Sequence, residues 1–522
     1  MAADVVQALD GFLSTNPAAQ ILHAEPAPPS VLVIFGAGGD LTRRLLMPAL
    51  YNLAVAGLLP DEFRVRGVDM ADGDDAAFRE RQTASMGQFL KDRGGEFTPD
   101  SMDQTRLAWL ADRLTYQSAS FDDPATFETL KAWIGNRSAV FYLAVADRFF
   151  GSIIDMLGEA RLVEQNPHQF RRVVIEKPFG HDLASAIALN ERILNVLHED
   201  QIYRIDHFLG KETVQNIMAL RFSNGMFEPL WNRDHIEWVE ITAAETVGVE
   251  KRAKFYEPTG AMRDMVPNHI FQLLAMTAME PPNSFDADAV RSEKAKVVEA
   301  IRPLTREQAR SCVERGQYSA GRIGDSDAVG YRAEPGVDPE SDTESYVAIK
   351  FAIDNWRWAG VPFYVRTGKR MAARKTEIVI HFRPAPFALF RDTSVERMTR
   401  NILTLHIQPT EGVSLTFSAK VPGPTVKLNR VTMDMRYGDY FKTGSATGYE
   451  TLLYDVLIGD ATLFQRADNI EAGWRAVQPI LDLWQAEYVP VELYPAGSAG
   501  PVIADTLTNS GGQFYHFWSP LT

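Results

Sequence analysis

The stretch that most restricts this chain is Val31-Leu32-Val33-Ile34-Phe35, an unbroken apolar run closed by Gly36-Ala37-Gly38-Gly39. Directly behind it, from Asp40, apolar residues recur at Leu41, Leu45, Leu46, Ala49, Leu50 and Leu53, the spacing of one helical face. Strand, glycine turn and helix in that order open a parallel α/β unit, in which the helix amides and dipole can meet a pyrophosphate. The spacing Gly36-x-Gly38-Gly39 is not a strict G-x-G-x-x-G, so taken alone it suits a plain tight turn equally well. Pro48 has no backbone donor and is expected to kink the helix.

Arg64 to Val68, Ala139 to Ala144 and Arg172 to Ile175 read as further strands with helical stretches between them, which implies a mostly parallel sheet covered on both faces. After Asp206 the texture changes. Ile236 to Thr242, Tyr346 to Ile353, Glu377 to Phe382, Ile402 to Ile407 and Val413 to Ser418 are strand-like, and several alternate apolar with polar as an antiparallel sheet with one covered face does. Gly321 to Asp342 is Gly/Asp/Pro-rich and reads as a surface loop. The expected organisation is a mobile extension over 1–28, ending in a Pro/Ala-rich stretch, an α/β unit over 29–205 and a second unit over 206–522.

With 522 residues, 45% hydrophobic and 23% charged, the chain can bury a large core. Its net charge of −15 disfavours nucleic acid and anionic lipid as partners. A single cysteine, Cys312, excludes an internal disulfide and a zinc site with several thiolates, and no H-E-x-x-H or EF-hand loop suggests a metal. The acidic start, MAADVVQALDGFL, lacks a secretory n-region, and no apolar run of about 18 residues is present, so the cytoplasm is the expected address.

Three segments carry residues suited to chemistry. Arg204-Ile205-Asp206-His207-Phe208-Leu209-Gly210-Lys211 groups an acid, an imidazole and an ammonium, able to grip a phosphate monoester or simply to form a solvated turn. Arg263-Asp264-Met265-Val266-Pro267-Asn268-His269 supplies a second acid and imidazole, where a satisfied core histidine is the plainer alternative. Lys177 ends a buried-looking strand and precedes Pro178, which places it at the sheet edge where ligands of open α/β folds bind, or makes it an ordinary loop lysine.

Together these segments resemble the glucose-6-phosphate dehydrogenase family from about Val31 to Gly500, through GAGGDLTRRLLMPALYNL, EKPFG, RIDHFLGKETVQNI, RFSNGMFEPLWNRDHI, YEPTGAMRDMVPNHI, AMEPP and IDNWRWAGVPFYVRTGKR. The resemblance implies an α/β Rossmann-like N-terminal domain and an α+β C-terminal domain with a large, mainly antiparallel sheet that also makes a homodimer or homotetramer. It implies oxidation of β-D-glucose 6-phosphate to 6-phospho-D-glucono-1,5-lactone, the first step of the pentose phosphate pathway, with hydride transfer to NAD or NADP. In that pattern His269 matches the general base, Asp206 the acid that orients it, and Lys177 a lysine between nicotinamide and sugar. His207 and Lys211 match phosphate ligands, Glu245, Asp264 and Lys369 further substrate contacts, and Arg374 stands where a second lysine is common. Gly36, Gly38, Gly39, Asp40, Leu41 and Arg44 match the coenzyme turn. A different aldose as substrate, or a silent regulatory paralogue, remains open at this point.

Several residues depart from the family. Gly38 replaces a Ser or Thr, and Val68-Asp69-Met70 lacks an Arg, both of which serve the 2′-phosphate of NADP. Asp69 would repel that phosphate and accept hydrogen bonds from ribose hydroxyls, so NAD is the expected coenzyme, with NADP kept open by Arg43 and Arg44. Phe208 replaces a tyrosine and cannot donate to phosphate, and Ala146-Asp147 stands in place of Pro-Pro near the nicotinamide end.

Overall fold

The computed structural model describes residues 24–89, 97, 101–390, 398–441, 447–487, 489–508 and 518–521. Residues 1–23 of the anticipated extension lie outside these. Its remainder is held in place: Ala27 is buried and its N–H donates to the Leu58 carbonyl, while the Tyr454 hydroxyl donates to the Glu25 carbonyl.

The N-terminal sheet contains β1 (Ser30–Phe35), β2 (Arg64–Asp69), β3 (Leu114–Ser118), β4 (Ser138–Leu143), β5 (Arg171–Ile175) and β6 (Ile202–Arg204). The spatial order is β3-β2-β1-β4-β5-β6 and every pairing is parallel. The order reverses between β1 and β4, the switch point of a Rossmann-like sheet. Strands β1 and β4 are buried along their whole length, as an apolar run with helices on both faces requires. Neither β3 nor β6 is among the expected strands, since both are short and carry polar residues.

Pro48 does not simply kink the first helix. A π-helical turn over Thr42–Leu46 precedes the α-helix Met47–Val55, with the Met47 N–H reaching the Thr42 carbonyl. The missing donor of proline is absorbed by widening the turn before it.

The second sheet contains β7 (Ile236–Ala244), β8 (Val313–Ser319), β11 (Tyr346–Ala352), β12 (Pro362–Gly368), β13 (Lys375–Phe382), β14 (Ile402–Gln408), β15 (Gly412–Lys420), β16 (Leu428–Arg436) and β17 (Glu492–Pro495); β9 (Gly321–Ile323) and β10 (Ser326–Ala328) form a separate hairpin. The order is β16-β15-β14-β13-β7-β12-β11-β8-β17, antiparallel except for β7 with β12 and β8 with β17. Alternation appears in β14, whereas β7 and β13 are buried on both faces. A second apolar cluster that includes Trp238, Tyr364 and Trp518 covers the face expected to meet solvent. The Gly321 to Asp342 segment is likewise more than a surface loop: it holds the hairpin and buries Tyr331 completely, because that ring joins the same cluster.

Helices Tyr449–Ile458 and Ala467–Ala486 return from the C-terminal part to pack on the helices of the N-terminal sheet. Arg172 Nη1 donates to the carbonyls of Val456 and Leu457 at 2.6 and 2.8 Å. One apolar core therefore runs through both parts.

Candidate active site

Local chemistry builds the centre. Pro267 cannot donate to the Arg263 carbonyl, and the chain responds with a π-helical turn over Val266–Ile270 in which Asn268 Nδ2 reaches the Arg263 carbonyl at 3.1 Å. His269 sits in that widened turn, as functional residues often do. Asp206 and His207 follow β6, and Lys177 follows β5. Glu245 and Lys369 extend the neighbouring parallel strands β7 and β12, whose ends Ala244 and Gly368 are in register.

His269 Nδ1 lies 2.5 Å from Asp206 Oδ1, and Nε2 lies 2.8 Å from Lys177 Nζ. An ammonium only donates, so Nε2 is the accepting nitrogen and Nδ1–H donates to the carboxylate. Lys177 also donates to Asp264 Oδ1 at 2.9 Å, and Lys369 donates to Glu245 Oε2 at 2.6 Å. Phe208 stacks on His269 with centroids 4.3 Å apart, and its N–H donates to Asp206 Oδ1. Lys211 Nζ lies 4.6 Å from the Phe208 ring centre. Lys211 and Arg374 both donate to Gln408 Oε1, at 2.5 and 3.4 Å. His207 lies edge-on to His269, 4.7 Å between centroids. Lys177, Asp206, His207, Asp264 and His269 are thus joined into one connected group, with Lys211 and Arg374 at its flank, while Glu245 and Lys369 form a pair of their own whose ammonium bears on Asp264.

Burial is the largest single influence on His269, Asp206 and Asp264, but it decides the direction only for His269. It pushes the His269 pKa below the ordinary imidazole value, against the pull of Asp206 and with help from Lys177. Burial would raise the Asp206 pKa, but the His269 ring and hydrogen bond outweigh it and hold the carboxyl well below its usual range. Asp264 is likewise lowered against burial, by Lys177 and Lys369. Asp206, His207 and His269 bring possible ligand atoms within 4.8 Å of one another, yet Asp206 Oδ1 and His269 Nδ1 are already committed to each other.

Sequence reasoning missed Gln408, Tyr449 and Glu176. Tyr449 lies parallel to the His207 ring at 6.4 Å. Glu176 is buried beside Lys177, accepts from the Tyr142 hydroxyl at 2.5 Å, and is pushed up to about 7 by that burial. A buried carboxylate one residue from the strand-end lysine was the available signal; Gln408 and Tyr449 had none.

At the other end, Gly36 adopts φ +83° and a Cβ there would lie 2.3 Å from the Ala144 carbonyl oxygen, so only glycine closes this turn. The Gly38 N–H donates to Asp69 Oδ2 at 2.7 Å, and the Met70 N–H to Asp69 Oδ1 at 2.7 Å. Arg43 and Arg44 pair with Asp40 at 2.6 and 3.3 Å, with their side chains turned onto their own helix. Arg81, unnoticed in the sequence, flanks Gly38: a Cβ on that glycine would lie 3.0 Å from Asp69 Oδ2 and 3.5 Å from Arg81 Nη1. Asp147 begins an exposed helical turn, and nothing in the structure explains it.

Two family profiles match in tandem, the NAD binding domain of glucose-6-phosphate dehydrogenase over residues 33–216 and its C-terminal domain over 218–518. The chain belongs to the glucose-6-phosphate dehydrogenase family. It is 44% identical to glucose-6-phosphate 1-dehydrogenase of Aggregatibacter actinomycetemcomitans, covering 93% of this chain and 96% of that one. It is 43% identical to the enzyme of that name from Rhizobium meliloti, over 94% and 98% of the two chains. The crystal structure of glucose-6-phosphate 1-dehydrogenase from Mycobacterium avium superposes with a TM-score of 0.80 at 37% identity, covering 95% of this chain and all of that one. A glucose-6-phosphate dehydrogenase solved with its substrate glucose 6-phosphate gives 0.81 at 30% identity, over 94% and 99%. Among the described residues no helix is long and apolar enough to cross a membrane.

Proposed function

We propose that this chain carries out the reaction of its family with His269 as general base and NAD as preferred hydride acceptor. The reaction is oxidation of β-D-glucose 6-phosphate at C1 to 6-phospho-D-glucono-1,5-lactone, the first step of the pentose phosphate pathway. The observation that carries the reading is the line Lys177–His269–Asp206, which makes Nε2 the accepting nitrogen, held by Lys177, and sets an ionised carboxylate behind Nδ1. A nicotinamide bound at the β1–β4 switch point supplies the hydride acceptor. The protein does the rest: Nε2 takes the C1 hydroxyl proton, and Asp206 steadies the imidazolium that forms. Lys177 holds Nε2 in this structure, so the substrate hydroxyl takes its place there, and the ammonium remains beside the reacting oxygen. Glu245, Asp264 and Lys369 are placed for the sugar hydroxyls. Lys211, His207 and Arg374 form the phosphate end, where two cations already share one acceptor.

The coenzyme site spans Gly36, Gly38, Gly39, Asp40, Leu41, Arg44 and Asp69 within residues 29–205, and residues 206–522 hold the sugar and the oligomer contacts. Asp69 beside the turn favours ribose hydroxyls over a 2′-phosphate, while Arg81 at its flank keeps NADP admissible as a second coenzyme. A homodimer or homotetramer through the C-terminal sheet is supported by its β15–β16 margin, where Met433 is 63% exposed. Turnover of glucose 6-phosphate, glucose and galactose with each coenzyme tests the whole. Glucose 6-phosphate with NAD should give the highest kcat/KM. Preference for another sugar would overturn the substrate, and no turnover of any pair would overturn the enzyme.

A further inference from the structure

A buried carboxylate that the reaction as described leaves unused joins the element carrying Asp264 to the one carrying Lys369. Glu344 is 4% exposed and stands two residues before β11. Its Oε1 accepts the Met262 N–H at 3.0 Å, and its backbone carbonyl accepts the Ala261 N–H at 2.9 Å. These are first-turn amides of the helix Gly260–Met265, which have no acceptor within the helix and receive none from the Thr259 side chain. The approach is close. A Cβ on Gly260, where φ is +62°, would lie 2.3 Å from that same Oε1, so only glycine admits the carboxylate here. The helix held in this way carries Asp264 and runs directly into the π-helical turn of His269.

The next residue serves Lys369. The Ser345 carbonyl accepts the Lys369 N–H at 2.9 Å, and the Lys369 carbonyl accepts from the Tyr494 hydroxyl at 2.7 Å. Ser345 is itself stitched to β8: its N–H donates to the Gly316 carbonyl at 2.8 Å, and its hydroxyl oxygen accepts from the Tyr318 N–H at 3.0 Å. Two consecutive residues thus grip the helix of Asp264 and the end of β12 from one anchored point. We propose that Glu344 is a positioning residue for the sugar: it fixes the distance between Asp264 and Lys369, so that the two side chains meet the ring hydroxyls as one preformed pair and discriminate between sugars differing at one hydroxyl. Without its oxygen the Met262 N–H would be buried and unpaired, and the helix would shift to find a partner. A shift of about 1 Å is enough to spoil the alignment of groups that hold a substrate.

Glu344→Met keeps the bulk and removes the acceptor. It should raise KM for glucose 6-phosphate about tenfold, the scale of one buried hydrogen bond left unmade. The kcat/KM preference for glucose 6-phosphate over its C4 epimer, galactose 6-phosphate, should fall by a similar factor. The loss in kcat should be smaller, since His269 is held separately by Asp206 and Lys177. Glu344→Gln retains an oxygen for the Met262 N–H and should recover most of KM and of the sugar preference. A glutamate needed only for the fold would instead lower the melting temperature and leave both in place. KM and preference within about twofold of wild type, well under the scale of that hydrogen bond, overturn the proposal, and so does a Gln variant no better than Met. Should the Met variant not fold, Glu344→Asp, too short by a methylene to reach, decides by the same criterion. The proposal rests on Asp264 and Lys369 taking the sugar hydroxyls. If Asp264→Asn leaves KM unchanged, that reading fails; if Asp264→Asn raises KM and Glu344→Met does not, only the present proposal fails.

Discussion

The His269 cluster and the glycine turn after β1 are built on opposite electrostatic terms. At the reaction centre, Asp206 and His269 are 1% exposed and face each other across 2.5 Å. At the coenzyme turn, Asp40 and its two arginines are about half exposed. Charges removed from water act strongly and cannot be rearranged cheaply, whereas exposed pairs contribute little and are screened by salt. The reaction centre should therefore tolerate almost no exchange, and the coenzyme end should be open to redesign.

The largest effect should come from the buried end. His269→Asn should lower kcat by about 10²–10⁴-fold with glucose 6-phosphate binding nearly intact, the range for a general base acting in the transition state. Single-turnover and equilibrium binding measurements separate the two quantities. A variant keeping a tenth of wild-type kcat would remove the contrast between the two ends.

Next comes Lys211, half-buried at the phosphate flank. Lys211→Ala should raise KM for glucose 6-phosphate about 10–100-fold, the worth of one hydrogen bond to a charged group, and leave the kinetics with unphosphorylated glucose almost unchanged. An equal rise for both sugars would place its contribution in the fold or at the ring.

At the exposed end, Asp69→Gly with Met70→Arg should shift the ratio of kcat/KM for NAD over NADP toward NADP by about tenfold, by removing a repulsion and adding a planar donor for phosphate. If wild type already favours NADP tenfold, Arg81 holds the 2′-phosphate, and its replacement by Ala should weaken NADP selectively.

The smallest effect sharpens the comparison through pH. In the proposed mechanism the neutral form of His269 is the active base, and burial lowers its pKa. Activity should therefore fall only as pH drops through a value below the ordinary imidazole pKa of about 6.5, and the acid limb of kcat/KM reports that value. A limb above 6.5 would mean that Asp206 outweighs burial.

The sequence by itself determined β1, β2, β4 and β5 of the first sheet, because an apolar run, a glycine turn and a helical period encode local geometry that neighbours reinforce. The same local pattern placed Lys177 at a strand end and His269 next to a proline. It also named, through their motifs, residues that the structure brings together around His269. What it did not contain were the relations between segments distant in the chain: Lys177 to Asp264, Lys211 to Gln408, and Tyr449 over His207. Burial on both faces of β7 and β13 escaped the alternation signal for the same reason, since the covering cluster is supplied by residues as far along the chain as Trp518. Only tertiary structure could decide that Asp206 is buried against His269 and held by the Phe208 N–H. Burial is a property of the packed whole, and burial sets the charge states on which the chemistry depends.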